Sequence, residues 1–166
     1  MFVRVKKIKG QPYAYLVENT WAHQGARQKV IKYLGRVHDA KTGTVDANLG
    51  ELSYPDSIRL LLRKTLEDAG FTGENVLIKD GVNFNIDTGD VTRHRRPTVL
   101  ASNEGFICQH TILDALQPPT GRHNEMAHAL ATKILETGIK TTPETFAALF
   151  EKVKPKDETK LQEFYY

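Results

Sequence analysis

The side chains best suited to chemistry in this sequence are cationic and aromatic, and they fall in two places. Lys6, Lys7, Lys9, Arg27, Lys29, Lys32 and Arg36 lie near the start of the chain, interleaved with Tyr13, Tyr15, Trp21 and Tyr33. Lys and Arg hold phosphate oxygens, and flat aromatic faces stack on unpaired bases, so this mixture suits a nucleic-acid partner. The second place is Arg93-His94-Arg95-Arg96, four consecutive side chains that carry or can gain positive charge. Exposed together they form a compact phosphate-binding patch. In an extended strand Arg93 and Arg95 point one way and His94 and Arg96 the other. Simpler explanations exist for both sets: lysines at a sheet edge block strand-on-strand aggregation, and four polar residues beside Pro97 suit a solvated loop.

Other chemistries find less material. Asp80, Asp87 and Asp90 would hold a divalent cation if they converged, which keeps a metal-dependent nuclease open as an alternative; each also sits where a tight turn is expected. The histidines His23, His38, His94, His110, His123 and His128 form no paired ligand motif, and no metal or cofactor is expected. Neither GxxxxGK[ST] nor GxGxxG occurs, and Ser53 and Ser102 lack the surroundings of a nucleophile elbow. Cys108 is the single cysteine. It reads as a small buried hydrophobe on a helix, with no local base to make it a nucleophile. Residues 101–106 read as a strand-to-helix junction. Glu104 in its first turn would oppose a bound anion, so the junction reads as a cap.

Composition is that of a globular protein, with 40% hydrophobic and 26% charged residues in 166. The net charge of +3 is unevenly spread. Residues 1–41 carry nine Lys/Arg against Glu18 and Asp39, a balance of +7, and the remainder carries 14 against 18, a balance of −4. Such asymmetry points to one basic face on a neutral to acidic body. A lone cysteine suits a reducing compartment. MFVRVKKIKG lacks the apolar run of a secretory signal, and no apolar stretch is long enough to span a membrane. The expected location is cytoplasmic.

Alternation predicts a strand over 2–9, a turn at Gly10-Gln11-Pro12, a second strand through Glu18 and a third over 26–37. Asn19 to Gly25, containing Trp21, reads as a loop of about six residues, completing a three-stranded antiparallel meander. Residues 38–51 read as a linker or a long loop. The chain then divides into a basic module over 1–41 and an α+β body over 45–166, or forms one continuous domain. A helix is predicted over 53–70, with Ser53 as cap, Pro55 in the first turn, Gly70 past the end, and Ile58, Leu61, Leu62 and Leu66 on one face. Residues 75–86 form a hairpin about Asp80-Gly81. Asp87 to Asp90 make another turn, and 91–102 form one strand or two, broken by Pro97. Helices are expected from Asn103 to about Leu116, from about Asn124 to Thr137, and from Thr142-Pro143-Glu144 to about Val153. The tail beyond Pro155 reads as a turn or a loose end. Strands and helices are segregated, so the fold class is α+β, with a meander, a helix, a second hairpin region and a helical C-terminal third.

The run Tyr13-Ala14-Tyr15-Leu16-Val17-Glu18, followed by Arg27-Gln28-Lys29-Val30 and Tyr33-Leu34-Gly35-Arg36-Val37, resembles the N-terminal β-region of DDE insertion-sequence transposases. The resemblance covers residues 11–37 and implies a DNA-facing module. It does not extend to the catalytic triad of that family, which has no match here. The whole chain also resembles uncharacterised archaeal proteins, which implies no function. These readings together favour a non-catalytic nucleic-acid-binding protein. RNA, ribosomal RNA included, is slightly favoured over DNA, because no helix carries the basic stripe suited to a major groove. The alternative partner is a protein, docked on the C-terminal helices through Phe146, Leu149 and Phe150.

Overall fold

The computed structural model describes residues 1–154. Strand β1 (Phe2–Ile8) turns at Lys9-Gly10 into β2 (Gln11–Ala22), and β2 turns at His23-Gln24 into β3 (Gly25–Asp39). All three are antiparallel, as the alternation predicts. The expected six-residue loop is absent. Its residues extend the ribbon until Ala22 faces Gly25. The loop reading failed because every residue from Glu18 to Tyr33 is exposed. A ribbon wetted on both sides needs no apolar alternation, and therefore writes none in the sequence.

After β3 come β4 (Thr44–Val45) and α1 (Tyr54–Asp68). Ser53 caps α1 by accepting from the Asp56 amide, and the chain leaves through Gly70 at φ +92°. Four short strands follow: β5 (Val76–Lys79), β6 (Val82–Asn85), β7 (Val91–Arg93) and β8 (Arg96–Ser102). The C-terminal part comprises β9 (Gly105–Ile107), α2 (Gln109–Leu116), α3 (His123–Glu136), β10 (Lys140–Thr141) and α4 (Pro143–Glu151). The sheet runs β1-β2-β3-β8-β7-β6-β5, with β9 also on β8, and β4 pairs with β10 in a second, small parallel sheet. The β3–β8 pair is parallel and the other pairs of the large sheet are antiparallel, so the sheet is mixed.

The α+β class holds, and the helical C-terminal third does not. Strands β9 and β10 interrupt it. Asn103, expected to cap a helix, sits at φ +50° in the β8–β9 turn. Asn is among the few residues that tolerate that conformation. The helix begins six residues later, at Gln109. The expected linker is also structured: Ala40, Val45 and Leu49 are buried, and the Ala40 amide donates to the Ala101 carbonyl at 2.9 Å. Residues 155–166, where the tail was expected, lie outside the described part.

The main core joins Leu61, Leu62 and Leu66 of α1 to Leu77 and Phe84 of the β5–β6 hairpin and to Ile112, Leu130 and Leu149 of α2, α3 and α4. Of the apolar residues considered for docking a partner, Leu149 is buried in this core and Phe146 and Phe150 are half-buried against it. A smaller core under the meander holds Ala14, Leu16, Leu34, Val99 and Cys108. Cys108 is buried, as expected, but stands at the N-terminal cap of α2 rather than inside a helix. Gly35 makes the meander's junction with β8 close: a Cβ there would lie 2.2 Å from the Pro97 carbonyl oxygen. Among the described residues no helix is long and apolar enough to cross a membrane.

Candidate nucleic-acid interface

Facing directions follow from register, because partners in a sheet point the same way and neighbours along a strand alternate. Ala14 and Leu16 face the small core. Tyr13 and Tyr15 therefore face away from it, together with their β1 partners Lys6 and Arg4. On β3, Tyr15 is opposite Tyr33 and Tyr13 is opposite Arg36. This open face carries a cluster of rings, with Tyr33 centred 5.3 Å from Tyr15 and 6.4 Å from Tyr13. The Lys6 ammonium lies 5.4 Å from the centre of the Tyr15 ring. Gln11 accepts from Arg36, and Gln28 accepts from Arg4, and among the described residues neither guanidinium is in an ion pair.

Two register shifts, between Ala14 and Tyr15 and between Leu16 and Val17, re-aim the β3 cations. Simple alternation pairs Lys32 with Arg36 and sets both against Arg27 and Lys29. With the bulges, Lys32 opposes Leu16, Lys29 opposes Glu18 and Arg27 opposes Thr20. These three cations thus turn to the reverse face, and Arg36 stays on the open face with Tyr33. Bulges are the ordinary device for such re-aiming. Lys7 alternates to the reverse face of β1, and Lys9 occupies the β1–β2 turn at φ +50°.

The second cationic set reaches the same face by a different route. Residues 91–102 are neither one strand nor a pair broken at Pro97. They form a hairpin whose two turn residues, His94 and Arg95, have φ of +50° and +63°. The turn cancels the expected alternation, since Arg93 and Arg96 become direct cross-strand partners. Arg95 is left exposed in the turn. Because β8 runs beside β3, the hairpin stands next to Arg36. The two sets enclose a groove of about 670 Å³. Tyr13, Tyr33, Arg36 and His38 line one side, and Arg93, His94 and Arg96, with Pro97 and Thr98, line the other. Thr98 donates to the Arg36 carbonyl at 2.8 Å, holding the floor together.

The electrostatics are one-sided. Ion pairs between described residues use Arg59, Arg63, Lys133 and Lys154, and none uses a groove arginine. Arg93 Nε is buried without a hydrogen-bond partner among the described residues. His38 is held below the ordinary histidine value by burial, then by Arg93 and Arg36. The Tyr33 phenol is held above its ordinary value by desolvation and by Tyr13 and Tyr15, against a smaller opposite pull from Arg96. His38 was missed in the sequence, although it stands two residues beyond Arg36 and so shares its face.

The remaining candidates stay apart. Asp80 is in the β5–β6 turn, and Asp87 and Asp90 are at the other end of β6, so the three carboxylates do not share a site. Asp90 instead accepts from Thr88 and Gln109. No group of three or more metal-ligating side chains occurs among the described residues. The supposed strand-to-helix junction at 101–106 is the β8–β9 hairpin, which offers no helix terminus to an anion. Trp21 stands near the end of the β2–β3 ribbon, 86% exposed, on the strand opposite Ala26. Compared with family models, curated proteins and solved structures, the chain has no significant match to any of them.

Proposed function

We propose that this chain is a non-catalytic nucleic-acid-binding protein that uses the open face of its N-terminal sheet and the adjoining arginine groove. The observation that carries the reading is the Arg93–Arg96 pair, with Arg36 across the groove and, among the described residues, no carboxylate in an ion pair with any of them. Like charges directly opposite on paired strands destabilise a sheet. A polyanion laid along the groove reverses the sign of that contribution. The rings of Tyr13, Tyr15 and Tyr33 beside the same cations supply stacking surfaces, which an inorganic anion would not use. The resemblance of residues 11–37 to a transposase terminal region agrees with a nucleic-acid partner. RNA remains slightly favoured over DNA, since the cations lie on a sheet and not along a helix fitted to a major groove.

The test is binding to labelled single-stranded RNA, structured RNA and duplex DNA between about 50 and 200 mM salt. Five open-face cations, Arg4, Lys6, Arg36, Arg93 and Arg96, predict a loss of roughly 100-fold for a single strand over that range, or roughly 500-fold for duplex DNA. Arg93→Glu/Arg96→Glu should abolish binding. Absence of binding to all three probes at 50 mM salt overturns the proposal.

A further inference from the structure

The open face does not stop at the groove. Along β2 it continues from Tyr13 and Tyr15, across the covered Val17, to Asn19 and Trp21, and along β3 it returns through Ala26, Gln28 and Val30 to Tyr33. The hydrogen bond from Arg4 to Gln28 crosses this face and ties the ribbon's side chains to those of β1. No Asp or Glu stands on it, because Glu18 and Asp39 alternate to the other side. From Tyr13 to Trp21 is eight residues of strand, or about 27 Å. The face therefore presents a line of rings, amides and cations that begins at the arginines and ends at an exposed indole.

We infer that this face is a track for an extended single strand of about four nucleotides, with phosphates at Arg36, Arg93 and Arg96 and the far base stacked on Trp21. The inference rests on the nucleic-acid reading and narrows its substrate class to unpaired strands. Three observations favour that occupant. A base inside a duplex hides the π-face that a tyrosine or tryptophan needs, whereas a single strand offers one at every residue. The amides of Asn19 and Gln28 between the rings suit the exposed hydrogen-bonding edges of unpaired bases. The ribbon spends two strands and its only tryptophan on a surface that serves no core, since all of Glu18–Tyr33 is exposed.

Trp21 is the single tryptophan of the chain, so its emission reports this site alone. The experiment titrates the full protein with oligouridylates and oligodeoxyuridylates of two, four and eight nucleotides and with a duplex, reading Trp21 fluorescence and, separately, the anisotropy of labelled oligomers. The dinucleotide should bind without altering Trp21, and quenching should appear from about four nucleotides. Trp21→Ala should weaken the eight-mer roughly 5- to 150-fold and leave the dinucleotide within about twofold; Trp21→Phe should restore much of the loss. Ribose and deoxyribose series that differ show whether the 2′-hydroxyl is read, and each supports the track if length and Trp21 behave as stated. Eight-mer binding that needs Arg93 and Arg96 but ignores Trp21 overturns the track and leaves the proposed function standing, as does duplex binding that equals the single strand. No binding by any oligomer overturns both.

Discussion

Gly35→Ala is expected to separate β3 from β8 and flatten the groove. Gly35 has φ +121°, a region that side chains avoid, and its added Cβ would stand 2.2 Å from the Pro97 carbonyl oxygen and 2.8 Å from the carbon. Both obstacles are backbone, so neither can rotate away. The conformational part costs about 1–3 kcal/mol, and forcing the strands apart by most of an ångström costs a similar amount. A total of about 4 kcal/mol is a large share of an ordinary domain's stability. For a chain of this size it lowers the melting temperature by roughly 8–16 °C. Urea titration followed by far-ultraviolet circular dichroism measures it, because Trp21 lies in the exposed ribbon and reports the core poorly. Gly43→Ala is the control: its Cβ meets nothing within 4 Å and its φ is not positive, so a change within about 0.5 kcal/mol is expected. The floor bond from Thr98 to the Arg36 carbonyl lies one residue away, so nucleic-acid affinity should fall along with stability. If Gly35→Ala matches Gly43→Ala in midpoint, the close approach of β3 to Pro97 does not hold the groove.

Four other outcomes are expected. Tyr54 donates from its buried hydroxyl to the Ala115 carbonyl at 2.8 Å, and burial, with Asp114, raises its pKa, so Tyr54→Phe should cost about 1–2 kcal/mol of stability by denaturant titration, with binding intact. The lowered pKa of His38 means that the unfolded chain takes up its proton first as pH falls; stability should therefore decline from about pH 6.5 down to the folded value and then level. A bound phosphate opposes that trend by favouring the imidazolium, so affinity should rise over the same window, and His38→Gln should flatten both slopes. Finally, His94→Asn/Arg95→Gly relieves two left-handed residues and should raise the unfolding free energy by about 1 kcal/mol or more, while removing charge beside the groove and weakening binding; Lys29→Glu/Lys32→Glu, on the reverse face, should weaken it less than Arg93→Glu/Arg96→Glu.

What the sequence made legible was local. The α1 helix is announced by Ser53, Pro55 and Gly70 and by an apolar stripe, and each of those residues does what its type suggests. The β5–β6 hairpin follows from Asp80-Gly81, and β1 from its alternation. Illegible were features decided by distant partners. Nothing in Thr44-Val45 or Lys140-Thr141 announces a strand, because each is one only in the presence of the other. Of the two β2–β3 bulges, one adjoins Gly35 at φ +121° and the other has no glycine at its site, and neither announces that Lys32 moves to the opposite side from Arg36. The His94-Arg95 turn lacks the Asn-Gly pair that advertises such hairpins, and so passed as strand. The basic segments themselves were readable, but their meeting in one groove depends on the parallel pairing of β3 with β8 across some 60 residues of chain.

The ribbon beyond Glu18 contributes nothing to either core, so its length is free to change without repacking. Side chains alternate with a period of two, which quantises that freedom. Two residues added to each strand would carry Trp21 about 7 Å outward and keep it on the open face, whereas one residue added to each would turn it to the reverse face. The arm thus behaves as a ruler with discrete marks. Chains that share this body can set how far the terminal ring reaches in steps of about one nucleotide, while the interior that holds the arginines stays as it is.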